Sequence, residues 1–434
     1  MGRILWTLLF ALFLVGCSSS TPEPGAPVLY EGARLITGDA VAPIEDSAFL
    51  VQNGEFRAVG KRGSIEVPAG ATRVDLSGKT VMPALVDAHA HLGWTLLKEN
   101  RTDTSTYSRD NLVDHLKRYA FYGIAAVRNL GIDPGDTAYE LRDHPVPGAA
   151  QLITAGRGMA LPNAGPGQAY WRPVAYGVST EAEARAAVRE LAAKKADVIK
   201  MWVDDRGGTV KKLPPELYRV IIDEAHKNKM LAVAHIFYLA DAKELVRSGI
   251  DGFAHGVRDI DIDDEFMELM KTHPNVWVIP NLPDRGTSEN DLAFAAQSLP
   301  PSQVERLRTN PTKPNLDLYN VQARNLAKLN AAHVTIAFGT DAGVAVGWTA
   351  HQELADMVNA GMTPAEVLVA ATKTAASILK LEKLGGVAPG KSASFVVLEA
   401  NPLDDITNTR RISKVYLQGT PIDRDALKVS FTTP

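Results

Sequence analysis

Two histidines one residue apart, His89 and His91, have the spacing of a chelate. They lie in Asp87-Ala88-His89-Ala90-His91, at the end of the run Val81-Met-Pro-Ala-Leu-Val. Residues i and i+2 of a strand point to one face, so both imidazoles share a side with Asp87. Neutral imidazole is the commonest protein ligand for zinc-like metals, and two on one face can hold one ion. Asp87 is placed to orient one of these rings from behind. Taken alone, a His-x-His pair is a weak sign. Three further runs add to it. His235 closes Leu-Ala-Val-Ala, His255 closes Gly-Phe-Ala, and Asp341 closes Val-Thr-Ile-Ala-Phe-Gly-Thr. Packing alone does not readily place four histidines and an aspartate at the ends of apolar runs. The other histidines, His115, His144, His226, His273, His333 and His351, fall in predicted helices or loops, where solvated or capping roles are expected.

Lys200 is the odd member. In Ala196-Asp-Val-Ile-Lys-Met-Trp-Val, alternation turns Val198, Lys200 and Trp202 to one face. An ammonium on the face that carries metal ligands would be repelled and poorly solvated. One resolution is a stem that snorkels to water. The other is a neutral amine that adds carbon dioxide, giving a carbamate whose oxygens can bridge two ions.

These residues need strands that end together. Apolar runs predict strands over 80–91, 124–129, 150–155, 198–203, 231–235, 252–255, 276–280 and 334–341, with helical patterns between them. Thr180 with Glu183 three residues on is a capping box opening a helix to Lys194, and prolines open another over Pro214–Lys227. Eight strands alternating with helices fit a (β/α)8 TIM barrel, whose chemistry sits at the C-terminal strand ends. The stretch from Leu282 to Asn330 is long for one crossover and predicts extra helices or a lid beside the mouth. Residues 28–80 read as short strands with turns at Asn53-Gly54, Ala69-Gly70 and Ser77-Gly78. Ser394-Phe-Val-Val-Leu and Ser413-Lys-Val-Tyr-Leu repeat that style, so 28–80 and 389–434 are expected to form one composite β-sandwich domain beside a barrel over 81–388.

The 434 residues carry 46 basic and 50 acidic groups, a net charge of -4, which excludes the basic footprint of a nucleic-acid binder. A hydrophobic share of 45% with 22% charged residues is that of a globular chain able to bury a large core. The single cysteine, Cys17, excludes an internal disulfide framework and a thiolate zinc cluster. Arg3 precedes an apolar stretch from Ile4 to Val15 that is too short to span a bilayer. It ends in Leu14-Val15-Gly16-Cys17, which resembles a bacterial lipobox. That resemblance implies a signal peptide over 1–16, lipidation of Cys17, and a membrane anchor through the lipid. The polar, proline-rich residues 17–27 read as the tether. In a Gram-negative host, Ser18 after the cysteine is compatible with the periplasmic face of the outer membrane.

The whole set of motifs resembles the amidohydrolase superfamily, in its imidazolonepropionase-like and Xaa-Pro-dipeptidase-like branch. Val81-Met-Pro-Ala-Leu-Val-Asp-Ala-His-Ala-His is similar to the first-strand motif, with Ala84 where glycine is usual. Gly339-Thr-Asp-Ala-Gly is similar to the eighth-strand motif. Gly386-Val-Ala-Pro-Gly-Lys-Ser-Ala-Ser-Phe-Val-Val-Leu resembles the return into the β domain, with Ser394 in place of a usual aspartate. The resemblance implies two divalent ions, zinc first among them. His89, His91 and Asp341 would hold the more buried one and His235 and His255 the other, with carboxylated Lys200 and a hydroxide as bridges. Such a pair acidifies a water and polarises a scissile carbonyl, and Asp341 would shuttle the proton to the leaving amine. A small-molecule substrate with an amide or peptide C–N bond follows, and a homo-oligomer is compatible.

One departure concerns specificity. Peptidase-like members commonly carry Gly-Gly-His after the third strand, where this chain has Gly156-Arg-Gly-Met-Ala-Leu-Pro-Asn-Ala-Gly-Pro-Gly. That loop and Trp171-Arg172 are expected to select a different substrate. Deaminases on this scaffold use one metal and a glutamate three residues after the fifth-strand histidine, a place held here by Tyr238. Lactone or phosphotriester hydrolysis remains an alternative, as does a lipid-anchored, non-catalytic binding protein. The complete ligand set speaks against the last.

Overall fold

The computed structural model describes residues 25–282, 285–311 and 313–433. The expected lipobox, Cys17 and the first residues of the expected tether lie outside them.

The two ends of the chain are woven together. Val28–Glu31 pairs antiparallel with Ser47–Gln52 and parallel with Thr72–Asp75, and Ser47–Gln52 turns at Asn53-Gly54 into Glu55–Lys61. Asn53 and Gly54 both adopt positive φ, which asparagine and glycine tolerate best. A second sheet sets Thr80–Pro83 against Phe395–Leu398, which pairs in turn with Ile412–Leu417. Between the sheets Tyr30 stacks on Phe49 at 5.0 Å, and Phe395 stacks on Tyr416 at 4.4 Å. These rings share one buried cluster with Val51, Val81 and Val397.

Parallel strands make up the rest of the sheet structure. Leu85–Ala90, Ile124–Asn129 and Gln151–Thr154 form one set. Met159–Ala160, Ile199–Val203, Ala232–Ile236, Gly252–Ala254, Trp277–Ile279 and Thr335–Ile336 run in another. The fold is therefore mixed α/β with a parallel sheet. The two sets meet where Ala88 N–H donates to Phe338 O (3.0 Å) and Asp197 N–H donates to Thr154 O (3.0 Å). Val86, Ala126, Ile153, Val198, Val233 and Ala337 share one buried cluster, so both sets face the same interior. Glu181–Ala193 opens on the expected Thr180–Glu183 capping box, and Pro215–Lys227 starts behind Pro214. Leu217, Ile221 and Ala225 are buried at helical spacing.

Two expected strands differ. The run over 80–91 is two strands that change sheets at Ala84, whose N–H donates to Ser394 O (3.0 Å). Pro83, without an N–H, ends the antiparallel piece. The run over 334–341 is regular only at Thr335–Ile336; the chain continues without strand pairing to Asp341, whose φ of 57° lies outside strand geometry. Extra helices do occupy the long crossover: Glu289–Ala295 and Pro301–Thr309 precede Leu316–Ala331. Leu299, Gln303 and Leu307 border a cleft of about 390 Å³ with Leu97, Val344 and Trp348. No helix among the described residues is long and apolar enough to cross a membrane.

Candidate metal centre

Leu85–Ala90 is buried throughout and carries His89 to its end, with His91 just beyond. His89 Nε2 and His91 Nε2 come within 3.3 Å, and both meet Asp341 Oδ1, at 3.2 and 2.9 Å. His255, with φ 98°, ends the Gly252–Ala254 strand and sets Nε2 3.8 Å from the other carboxylate oxygen, Asp341 Oδ2. His235 lies on Ala232–Ile236 with its ring 4.4 Å from that of His255. All five expected residues converge. A donor atom from each of His89, His255 and Asp341 lies within 4.8 Å of the others, so the carboxylate faces both histidine groups.

Lys200 reaches the same interior. It is 0% exposed, and Nζ has no hydrogen-bond partner among the described residues. Nζ lies 5.4 Å from the Trp202 ring centre, and glycines crowd the stem: a Cβ on Gly131 or Gly158 would stand 2.7 or 3.0 Å from Lys200 Cγ. A snorkelling lysine is excluded by this burial. Desolvation pushes the amine well below the usual lysine range, toward the neutral, nucleophilic form. Desolvation likewise lowers His89, His235 and His255 and keeps them neutral. Burial acts to raise the Asp341 carboxyl, but the His89 and His91 imidazoles and Arg258 outweigh it and hold the group well below the carboxylate range. Four imidazoles, three of them held neutral, and an ionised carboxylate are the donor chemistry that suits a zinc-like cation.

A shell of supporting groups went unseen in the sequence. Asp87 does not bond a histidine ring, contrary to expectation. Its Oδ1 accepts from His89 N (3.0 Å) and Thr340 N (3.1 Å), and Oδ2 accepts from Thr340 Oγ1 (2.6 Å) and Tyr119 Oη (3.1 Å). The aspartate thus clamps the backbone of both ligand turns. The ring partner is Asn281, whose Oδ1 accepts from His89 Nδ1 (2.7 Å) and leaves Nε2 as the free lone pair. His235 Nε2 donates to Asp204 Oδ2 (2.9 Å), itself paired with Arg206 (3.0 Å), so Nδ1 of His235 is the atom left to bind. Asn281 and Asp204 each follow a strand end, a position that signals function only once the strand is known. His115 and His351 also depart from the solvated role expected of them. His115 is 0% exposed, accepts from Gly93 N (3.1 Å), donates to Thr95 O (2.8 Å), and so pins the loop after His91. His351 is buried and donates to Tyr122 O (2.9 Å). Both lie on helices whose buried faces they join. The loop after Gly156 brings Trp171 against His91, ring centres 5.4 Å apart, as one wall of the site.

Buried imidazoles, a carboxylate and a partnerless amine at parallel strand ends define a metal-dependent hydrolase class. The amidohydrolase family model matches residues 80–422, and the chain belongs to that family of metal-dependent hydrolases. An uncharacterised protein of Mycobacterium tuberculosis is 30% identical over 319 residues, covering 71% of this chain and 77% of that one. Ochratoxinase of Aspergillus niger is 27% identical over 432 residues, covering 89% and 84%. In fold the chain is similar to a Xaa-Pro dipeptidase crystallised with methionine in its active site (TM-score 0.72, 23% identity, 91% of this chain and 99% of that one).

Proposed function

We propose that this enzyme hydrolyses an amide-type C–N bond of a small molecule, a dipeptide, N-acyl amino acid or cyclic amide, at a centre of two divalent ions, zinc first among them. The observation that carries this reading is the convergence of His89, His91, His235, His255 and Asp341 around a buried, partnerless Lys200. His89, His91 and Asp341 would hold one ion and His235 and His255 the other, with Lys200, carboxylated on Nζ, between them. In this reading the two parallel sets close as a (β/α)8 barrel, supported by the hydrogen bonds and shared interior that join them.

When bound, such ions acidify water and polarise a carbonyl oxygen. The chain's own part is to orient and to move a proton. Asp87 and Asn281 fix His89, and Asp204 fixes His235, so the imidazole lone pairs are set before substrate arrives. The Asp341 carboxylate, ionised and 39% exposed at the side chain, takes the proton of the attacking water and returns it to the leaving amine. Kinship to ochratoxinase and likeness to a dipeptidase support an amide-type substrate. Export, with Cys17 lipidated and the enzyme held at the periplasmic face of a Gram-negative outer membrane, is part of the same proposal.

The test pairs metal analysis with hydrolysis of dipeptides, N-acyl amino acids, lactones and phosphotriesters. About two divalent ions per chain, with turnover confined to the amides, is the expected result. Turnover of lactones or phosphotriesters alone would overturn the assignment of the bond.

A further inference from the structure

Arg258 stands three residues after His255 and, among the described residues, forms no ion pair and no side-chain hydrogen bond. Its Nε is shut from solvent, while the residue as a whole is half-buried. This is unusual company for a cation: its charge bears on His235, His255, Lys200 and Asp341, all within the metal centre. Arg206, the other guanidinium there, is neutralised by Asp204 and bonded to Gly165 O (2.8 Å). Arg258 has no such direct pair; Asp341, Asp204 and Glu353 act on it only from beyond ion-pair distance.

Two more unpartnered groups belong to elements that pack against the loop after His255. Gln322 is 2% exposed and neither side-chain Nε2 nor Oε1 has a hydrogen-bond partner; Asn281 is 5% exposed and its Nδ2 has none. The backbone brings them together. His255 N–H donates to Ile279 O (2.8 Å) and Gly256 N–H to Pro280 O (3.3 Å), which sets Gly256 next to Asn281. Gln322 Oε1 would lie 3.5 Å from a Cβ on Gly256, and Arg258 is anchored by its own N–H to Phe237 O (2.9 Å). Buried donors are almost always satisfied, and a cluster of orphans beside a reactive centre marks a place where a ligand completes them.

We infer that Arg258, flanked by the amides of Gln322 and Asn281, binds a carboxylate on the amine side of the substrate. A guanidinium presents parallel N–H groups that match two carboxylate oxygens, and primary amides add further donors. A carboxylate would give the guanidinium the direct ion pair that it lacks among the described residues. The inference rests on the amide-hydrolase reading only for the molecule that carries the carboxylate.

The test uses metal-loaded protein and a panel of L-amino acids, each paired with the amino alcohol that lacks only the carboxylate. Thermal shift finds the binders and calorimetry measures them. Amino acids are expected to bind roughly 10- to 100-fold more tightly than their alcohols, the size of a hydrogen bond to a charged group. Arg258→Met should erase that preference, Arg258→Lys should keep part of it, and Gln322→Ala should weaken it severalfold, with metal content unchanged in each. Equal binding of acid and alcohol overturns the site, as does failure of every amino acid to bind. A preference that survives Arg258→Met assigns the carboxylate to the metals and also overturns it. A preference abolished by Arg258→Met in a protein that cleaves no amide would leave this site standing and sink the hydrolase reading.

Discussion

In the proposed mechanism Asp341 has two tasks at once, holding metal and moving a proton. Its surroundings hold it below the usual carboxylate range, so the ionised form would be the one to take a proton from the attacking water. Asp341→Asn keeps the shape and a carbonyl oxygen but is a poor base. With five other ligands in place, metal should stay while kcat falls by roughly two to four orders of magnitude. Parallel metal analysis and kinetics decide this, and full kcat in a metal-replete variant would move the proton shuttle elsewhere. Lys200→Ala should lose metal and activity together, with partial recovery from added short carboxylates. Asn281 allows a finer prediction. Asn281→Ala frees the His89 ring to rotate, and metal affinity should drop about 10- to 100-fold, the usual cost of losing such a partner, as measured by competition with a chelator. Unchanged affinity would mean that packing alone orients the ring.

At the scale of elements, the residues that converge were legible because strand ends announce themselves. An apolar run that stops on a histidine is visible in one dimension. Asp204, Asn281 and Arg258 were not, since each sits in a loop whose path depends on neighbouring strands. Asp87 shows the limit of face arithmetic: its side was read correctly, yet its oxygens went to the Thr340 turn and the His89 backbone. His115 and His351 were misjudged because their helices looked amphipathic and their buried faces were not assigned. Glycine placement was also silent in the sequence. A Cβ at Gly158 would meet Trp202 at 2.4 Å and Lys200 Cγ at 3.0 Å. Gly158→Ala should therefore displace the lysine stem, cost roughly 1 to 3 kcal/mol as overpacking, and lower bound metal. A variant with full stability and full metal content would show the wall to be more yielding than its contacts indicate.

For the whole molecule, buried neutral histidines set the response to acid. Burial pushes His115 down to about 4 and His351 to about 3, against 6.5 when unfolded. The unfolded chain therefore takes up protons first as pH falls through 6.5, and stability present above that pH is lost toward pH 3. Each site contributes on the order of 3 kcal/mol to this loss. Melting temperature measured from pH 7 to pH 4 should fall, and less steeply in His351→Gln, which keeps a hydrogen-bonding side chain and cannot titrate. Equal slopes would place the acid sensitivity in other groups. The proposed lipobox adds a prediction of a different kind. Cys17→Ala should block lipid attachment, which fractionation with mass spectrometry of the mature N-terminus can read. An unmodified Cys17 upstream of the mature N-terminus would end the lipoprotein proposal.

The sheet change at Ala84 bears on how such a chain is completed. Thr80–Pro83 leads directly into the ligand strand, yet its antiparallel neighbour is Phe395–Leu398, near the far terminus. A ribosome, or an export channel passing the chain from its first residue, delivers His89 and His91 long before the strand that braces them. The candidate ligand set is complete in sequence only at Asp341, and the strand that braces its first member only at Phe395–Leu398. Chains cut short before Phe395 should then bind metal poorly even though all six candidate ligands are present, and that dependence on the last strand makes metal loading a report on finished, full-length molecules.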